Sequence, residues 1–140
     1  MIDNKLIRNA VRKRIISSTG INPMTQFVCE NQEFDPQGLS LWIREYTLGG
    51  NLAQVSHHRV AIPYFMMQYD FCAPNGAGTS LLDQKTLAAL QEFDLLDMEK
   101  CTLDIPNYDA MIIRIKQEFS YEKTFARNIL LFTLSVYECG

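Results

Sequence analysis

Residues 39–80 read LSLWIREYTLGGNLAQVSHHRVAIPYFMMQYDFCAPNGAGTS, and this stretch decides the fold of the 140-residue chain. Over residues 39–47 apolar and polar side chains alternate, which is the period of a half-buried β-strand. Residues 59–73 are rich in aromatic, Met and β-branched side chains at both odd and even positions, which predicts a central strand covered on both faces. Pro63 has no backbone N–H to donate, so it predicts a bulge or an edge near the start of that strand.

Glycine-containing segments separate these two strands from each other and from the next element. The Gly-Gly-Asn segment at 49–51 is predicted to end the first strand, and a polar loop is predicted to run on to His58. The segment 75–79 holds two glycines and predicts a tight turn. Ser80 is predicted to open a helix, and Asp83, three residues later, has the spacing of a capping box.

The N-terminal segment predicts an amphipathic helix that is capped by Asp3 or Asn4 and runs to about Ser17. An apolar side chain recurs at every fourth position and forms one stripe: Ile7, Val11 and Ile15. Basic side chains fall on the opposite side of this helix: Lys5, Arg8 and Arg12. Four further segments have strand patterns: 27–30, 101–105, 110–119 and 125–137.

This order of elements predicts an α+β fold in a single domain, residues 1–140. We expect a mixed or antiparallel sheet of four to six strands, with two main helices packed on it. Apolar residues make up 47% of the chain and charged residues 21%, which are ordinary values for a globular protein. No apolar run reaches the ~20 residues of a membrane-spanning helix, and the N-terminus has no continuous apolar signal core. We therefore expect no membrane span, no secretion and residence in a cytoplasm.

The net charge of −3 is distributed unevenly along the chain. The first 18 residues hold five basic side chains against Asp3 alone, a balance of +4, so the remainder carries −7. Such asymmetry can indicate a contact with nucleic acid or with an acidic protein. Its more common origin is the solvated face of a surface helix.

No set of side chains has the spacing of a catalytic or metal site. His57 and His58 are the only histidines, and adjacent residues of an extended segment point to opposite sides, which disfavours a shared metal ion. The cysteines form no CxxC pair and are expected to be reduced and mostly buried: Cys29, Cys72, Cys101 and Cys139. We therefore expect no metal, no cofactor and no enzymatic activity.

Weaker patterns leave other chemistry open. The Gly-Ala-Gly segment at 76–78 precedes a helix as in a phosphate-binding loop, although the third glycine of GxGxxG would fall at Leu81. Cys72 and His57 could meet as nucleophile and base, although a buried strand cysteine is more common. Three carboxylates after the second helix are expected to be surface charge: Asp94, Asp97 and Glu99.

The order of these motifs resembles that of the tail terminator, or tail completion, proteins of long-tailed bacteriophages and related minor tail proteins. The likeness covers nearly the whole chain in sequence order. It runs through the amphipathic helix, residues 31–36, the Trp-bearing strand, a Gly-containing loop, a long strand ending at 73–78, a helix, and C-terminal strands that finish at 127–132. Each motif is short, so the resemblance is one of layout. Such proteins often carry a Gly before the apolar run of the long strand, where this chain has residues 59–63.

The resemblance implies a structural virion protein, assembled in the host cytoplasm, that forms a hexameric ring at the head-proximal end of the tail tube. The ring would stop polymerisation of the tail tube protein and present a surface to the head–tail connector protein. A compact protomer whose sheet edges and loops meet its neighbours suits that role. The basic face of the first helix could meet an acidic neighbour or lie near DNA in the lumen.

Exposure and layout select the candidate contact segments: the loop 49–58, the turn 106–109, the hairpin 120–124 and the basic helix face. The individual candidates are Arg8, Arg12, Asn51, Gln54, His57, His58, Tyr121, Glu122 and Lys123. Two alternatives stay open. One is a head–tail joining or neck protein, and the other is a small anion- or nucleotide-binding domain that uses the turn before Ser80.

Overall fold

Six strands and three helices are formed by the part of the chain that the computed structural model describes, residues 4–54, 61–76, 78–121 and 125–138. Asp3, one of the two predicted helix caps, lies outside these ranges. In chain order the elements are α1 (Asn4–Thr19), β1 (Phe27–Val28), β2 (Trp42–Gln54), β3 (Ala61–Pro74), α2 (Ser80–Glu92), α3 (Met98–Cys101), β4 (Thr102–Ile105), β5 (Tyr108–Tyr121) and β6 (Phe125–Glu138).

The strands form one mixed sheet in the order β1-β2-β3-β6-β5-β4. β1 runs parallel to β2, and the other neighbouring strands are antiparallel. The main helices, α1 and α2, contact each other and pack on one face of the sheet, which we call the helix face. The opposite face is called the outer face. The predicted α+β class with a mixed sheet and two main helices is confirmed, and α3 adds a single turn before β4.

The core lies between the helix face and the two helices. The predicted apolar stripe of α1 is fully buried there. The rings of Tyr69 and Phe132 meet edge to face with centroids 5.7 Å apart, and Phe132 meets Phe93 at 5.3 Å. Such aromatic pairs contribute about 0.5–1.5 kcal/mol each beyond the burial of their area. The centre of the core is therefore aromatic and is shared by β3, β6 and the end of α2.

The sheet curls around α1, so that this one helix contacts strands near both ends of the sheet. Arg12 hydrogen-bonds to Glu45 on β2. Two residues along the helix, an Nη1 atom of Arg14 donates to the carbonyl of Thr102 on β4 at 3.2 Å. The Arg14 guanidinium also lies 4.4 Å from the centroid of the Phe93 ring, so it makes a cation–π contact in addition to its hydrogen bond.

β2 continues through the glycines that were predicted to end it. It stays paired with β3 as far as Gln54, opposite Ala61, and a bulge between Thr47 and Gly49 takes up one extra residue. Glycine weakens a strand but does not forbid it, and bulges are places where its conformational freedom is useful. The prediction of a loop starting at Gly49 was wrong, because residues 49–54 pair with β3 and stay in the sheet.

Pro63 lies where β3 has a single strand partner. It pairs with Leu52 of β2, whereas the pairing of β3 with β6 begins one residue later, at Tyr64 opposite Ser135. A residue without an N–H is tolerated at such a position because no hydrogen bond to a second strand is lost. The predicted edge near the start of the strand is confirmed.

Side chains of α2 tie the two helices to the sheet. The carboxylate of Asp83 accepts a hydrogen bond from the side-chain amide of Asn128 on β6 at 3.0 Å, so Asp83 does not act in the predicted capping box. The same amide donates to Thr86 at 3.1 Å. Lys85 donates to the carbonyl of Thr19 at 2.6 Å, which places a cation at the C-terminus of α1. Because Asn128 is buried, its side-chain amide needs acceptors within the protein, and Asp83 supplies one of them.

Glu45 is a charged residue on the helix face of β2, with a side chain only 3% exposed. Arg12 donates to both of its carboxylate oxygens, and the hydroxyl of Tyr69 donates to one of them at 2.9 Å. The hydrogen bond to Glu45 raises the pKa of Arg12, and burial followed by the Glu45 charge raises the pKa of Tyr69 well above its ordinary value. Arg12 therefore turns into the core, whereas the sequence placed it on the solvated side of the helix.

We expect the Arg12→Ala variant to lose about 3 kcal/mol of unfolding free energy, because removing one partner of a buried ion pair leaves the other charge uncompensated. Arg8→Ala is the matched control. Arg8 lies one turn earlier in α1, and its Nε has no hydrogen-bond partner among the described residues. Its loss should cost less than about 1 kcal/mol. Urea unfolding followed by circular dichroism measures both, and equal losses would contradict the role given to the Arg12–Glu45 pair.

Candidate assembly interface

The outer edge of β2 is covered along only part of its length. β1 pairs with Ile43 and Arg44, and beyond them the carboxylate of Glu30 accepts the backbone N–H of Thr47 at 3.1 Å. From residue 48 to residue 54 no strand pairs with this edge in the described part of the chain. This stretch is called the β2 edge. It carries no charged residue.

The outer edge of β5, near the other end of the sheet, is also mostly uncovered. β4 pairs with Tyr108 to Met111, and a bulge lies between Ile112 and Arg114. Over residues 113–119, called the β5 edge, the described ranges contain no further strand partner. Phe119 is 62% exposed there. Unpaired strand edges are templates for pairing with another chain.

β2 and β3 together extend beyond their neighbours as a two-stranded ribbon. Residues 52–54 pair with residues 61–63 of β3, and in the described part of the chain neither β1 nor β6 is paired with these two stretches. A ribbon of two strands is only marginally stable in water, and it gains stability from a third strand or a packing surface. The ribbon is thus a part of the fold that benefits from a partner.

An acidic segment, residues 30–35, lies beside the start of β2 and is called the acidic loop. Its ring, Phe34, lies 6.2 Å from Trp42, and Trp42 lies 5.9 Å from Phe125, centroid to centroid. Trp42 is opposite Cys72 on β3, one position away from the helix-face residues Ile43 and Phe71, so this aromatic cluster is on the outer face. The loop carries three exposed carboxylates: Glu30, Glu33 and Asp35.

The structure distributes the sequence-predicted contact residues over several places. Arg8 is half-buried on α1, and Arg12 is engaged with Glu45. The backbones of Asn51 and Gln54 belong to β2, and Tyr121 ends β5 opposite Ala126. The remaining candidates lie outside the described residues: His57, His58, Glu122 and Lys123.

Sequence reasoning did not select Arg114 and Lys116 as contact residues. Both are exposed on β5, where charged side chains recur at alternate positions up to Glu118. Lys116 bonds to Glu118 at 2.9 Å. Alternating charges in a strand are the signal that one face of that strand is turned to solvent.

The turn 106–109 is tight and exposed. Ile105 of β4 pairs with Tyr108 of β5, so only Pro106 and Asn107 connect these strands. Asn107 has a φ of 67°, which asparagine tolerates better than most residues. This turn remains a candidate contact by its exposure alone.

The geometry gives little support to a nucleophilic cysteine, a catalytic carboxylate pair or a metal site. Burial raises the pKa of the Cys72 thiol to about 12, with Asp70 adding to the effect, whereas a nucleophilic cysteine requires a lowered pKa. Asp97 accepts the N–H of Glu99 at the start of α3, and Asp94 accepts the N–H of Leu96, so both carboxylates serve local turns. Among the described residues no group of three His, Cys, Asp or Glu side chains could hold a metal ion.

Gly76 and Gly78 take φ values of 91° and 76°, which supports the prediction of a tight turn that requires glycine. In the described ranges, no helix combines the length and the apolar character needed to cross a bilayer.

We expect Cys72 to resist thiol reagents in the folded protein at pH 8, because its proton is retained until about pH 12 and its side chain is fully buried. Cys29, which is half-buried, is the internal control and should react before Cys72. Mass spectrometry after labelling with and without urea identifies the modified residue. Labelling of native Cys72 as fast as Cys29 would show that the thiol is activated or accessible.

Comparison with known proteins gives a likeness of fold. No protein-family model and no curated protein sequence matches the chain. One solved structure, whose name is a sequence label without a functional term, aligns with a TM-score of 0.70 at 14% identity over 98% of this chain and 97% of its own. A chain of the virion of a native gene transfer agent particle aligns with a TM-score of 0.56 at 14% identity over 93% of both chains. The fold is therefore shared with these proteins over nearly its full length.

Proposed function

We propose that this chain is a structural protein of a phage-like virion, and that its copies close into a ring at the head-proximal end of the tail tube. The ring ends polymerisation of the tube protein and presents a surface to the head–tail connector, with DNA passing through its lumen. In this role the protein binds other proteins and itself, and it catalyses no reaction.

The observation that carries the proposal is the pair of uncovered edges near opposite ends of one sheet. The β2 edge and the β5 edge are different surfaces, so a contact between them is heterologous. Heterologous contacts produce rings when the rotation between copies closes, and open filaments when it does not. The sheet curls around α1, which bonds to β2 through Arg12 and to β4 through Arg14. In the proposed ring, this curvature supplies the rotation between copies that closure requires.

Two further observations support a virion role. The order of motifs along the chain resembles that of tail terminator proteins. Independently, the fold is shared with a chain of a gene transfer agent virion. The likeness of fold does not distinguish a tail terminator from a neck protein, so the experiment has to separate them by partner.

We expect the purified protein to form a species of about six copies at high concentration and low salt, visible as rings by negative-stain electron microscopy. Light scattering across a concentration and salt series measures its mass. Salt should favour smaller species if charged edges contribute, because exposed charges are screened beyond about 8 Å at physiological ionic strength. Tube protein from the same virion is then added, and a terminator should shorten and cap the tubes.

A chain that remains monomeric at all concentrations, both alone and with tube protein, would contradict the proposed ring. Rings that bind a connector protein but leave tube length unchanged would instead favour the neck protein. Nucleotide-induced thermal stabilisation without assembly would favour the binding domain, since a ligand of the native state raises its melting temperature.

A further inference from the structure

The helix layer, formed by α1 and α2, leaves the helix face of β5 open beyond β4. The main strand contacts of α2 are with β3 and β6. Phe119 of β5 is exposed, although it is opposite Asn128, the helix-face residue that bonds to α2. On α2, Leu87 is 54% exposed and lies one turn after Asp83, the partner of Asn128. These side chains border an apolar groove between α2 and β5, which we call the α2–β5 groove.

Asp83 adds a negative charge to this groove. It lies in the first turn of α2 and is exposed. Its bond to Asn128 directs it away from α1, whereas Lys85 and Glu92 bond to α1 from the opposite side of the helix. In the described part of the chain Asp83 has no ion-pair partner. The groove therefore combines an uncompensated carboxylate with exposed apolar side chains.

Arg8 is a cation on the other flank of the helix layer. Arg12, one turn later, bonds to Glu45, so Arg8 lies on the side of α1 that faces the β2 flank. The side chain of Arg8 is half-buried, and among the described residues its Nε has no hydrogen-bond partner and its charge has no ion-pair partner. A buried donor without an acceptor is costly. An acceptor from another molecule would remove that cost.

The direction of α1 fixes the level of Arg8 along β2. α1 is antiparallel to α2, because its C-terminus bonds to the first half of α2 and Arg14 bonds to the last residue of α2. α2 follows the direction of β6, since its first turn bonds to Asn128 and the residue after its end packs on Phe132. β6 and β2 are both antiparallel to β3, so α1 runs against β2. The step from Arg12 to Arg8 thus leads about 6 Å toward the start of the β2 edge.

The widths of the two layers allow a helix of a second copy to lie beside the groove. The four long strands, spaced about 4.8 Å apart, are about 19 Å wide in each copy. Two helices packed about 10 Å apart have nearly the same width. Where the β2 edge of one copy meets the β5 edge of the next, α1 of the first copy therefore follows α2 of the second at an ordinary packing distance.

The strand directions bring the two charges to one level. In a sheet that continues from copy to copy, β2 and β5 are antiparallel, and matching the two seven-residue edges sets residue 48 opposite Phe119. Arg8 lies above the start of the β2 edge, and Asp83 lies above Asn128, the β6 neighbour of Phe119. Both charges are on the helix face of the joined sheet.

We propose that the N-terminal half of α1 of one copy lies along the α2–β5 groove of the next copy, with Arg8 bound to Asp83 and with Leu87 and Phe119 covered. This inference rests on the proposed ring and names a contact within it. The contact is heterologous, because the groove and the Arg8 side of α1 lie on opposite flanks of the helix layer. It gives Arg8 an acceptor and Asp83 a cation.

Charge reversal tests this contact. In Arg8→Asp every interface sets two carboxylates against each other, and in Asp83→Arg every interface sets two guanidinium groups against each other. We expect either change to raise the concentration required for ring formation at least about tenfold. In an equimolar mixture, each interface of an alternating ring again joins opposite charges. Assembly should then return to within about twofold of the wild-type protein.

Lys13→Asp is the matched control for Arg8→Asp. It makes the same change of charge at an exposed position on another side of α1, and it should assemble like the wild type. Leu87→Lys tests the groove without removing a hydrogen bond inside the protein, so it serves if Asp83→Arg impairs folding. It should also weaken assembly about tenfold, because it places a cation beside Arg8 and a charge in an apolar contact. Circular dichroism and thermal melting check that each variant is folded.

The outcomes separate this inference from the function on which it rests. Wild-type rings that tolerate Arg8→Asp and Leu87→Lys, or a mixture that assembles no better than its components, would overturn the helix contact and leave the ring in place. Absence of any wild-type oligomer would overturn both.

A disulfide provides a second measurement. Arg8→Cys is combined with Leu87→Cys in a background with Cys29→Ser and Cys139→Ser. Residues 8 and 87 face opposite flanks of the helix layer, so a disulfide between them has to join two copies. Mild oxidation of assembled rings should produce a covalent ladder on a denaturing gel, and rings of this variant that give no ladder would contradict the contact.

Discussion

Long strands without full-length neighbours are the constraint on which this structure depends. β2, β3, β5 and β6 have 13 or 14 residues, whereas β1 has two and β4 has four. The backbone of every strand needs hydrogen-bond partners. The two short strands supply them for only a few residues, so within the described ranges of the chain both flanks of the sheet include backbone that pairs with no strand. The proposed ring satisfies that requirement between copies, and it does so without added domains.

A second constraint places charge inside the core. Glu45 on β2 is held by Arg12 and Tyr69, and Arg14 on the same helix bonds to Glu92 on α2. Removing a carboxylate from water is costly unless charged and polar partners replace the water. The two arginines therefore specify how α1 lies against the sheet and against α2. Through Arg12 and Arg14, α1 also bonds to β2 and β4, which lie near opposite ends of the sheet.

Particular residues show why some local predictions failed. Arg12 was predicted to lie on a solvated helix face because it falls opposite the apolar stripe of α1. Its partner Glu45 is 33 positions away, so no local pattern indicates their ion pair. Gly49 was expected to end β2, but pairing with a strand that begins at Ala61 outweighed the low strand preference of glycine. Asp83 had the spacing of a helix cap, yet the buried amide of Asn128, 45 residues later, bonds to it. In each case a contact with a residue distant in sequence outweighed the local preference, and a local pattern does not show such a contact.

The sequence by itself determined the α+β class, the positions of the main helices and most strands, and the edge character of Pro63. These follow from the hydrophobic period, the conformational preferences of glycine and proline, and the missing backbone N–H of proline, all of which act within a few residues. Only the tertiary structure decided the strand order, the curl around α1 and the face on which each charge lies. Arg8 and Asp83 are far apart in the chain, and they lie on opposite flanks of the helix layer only because of how α1 and α2 pack on the sheet.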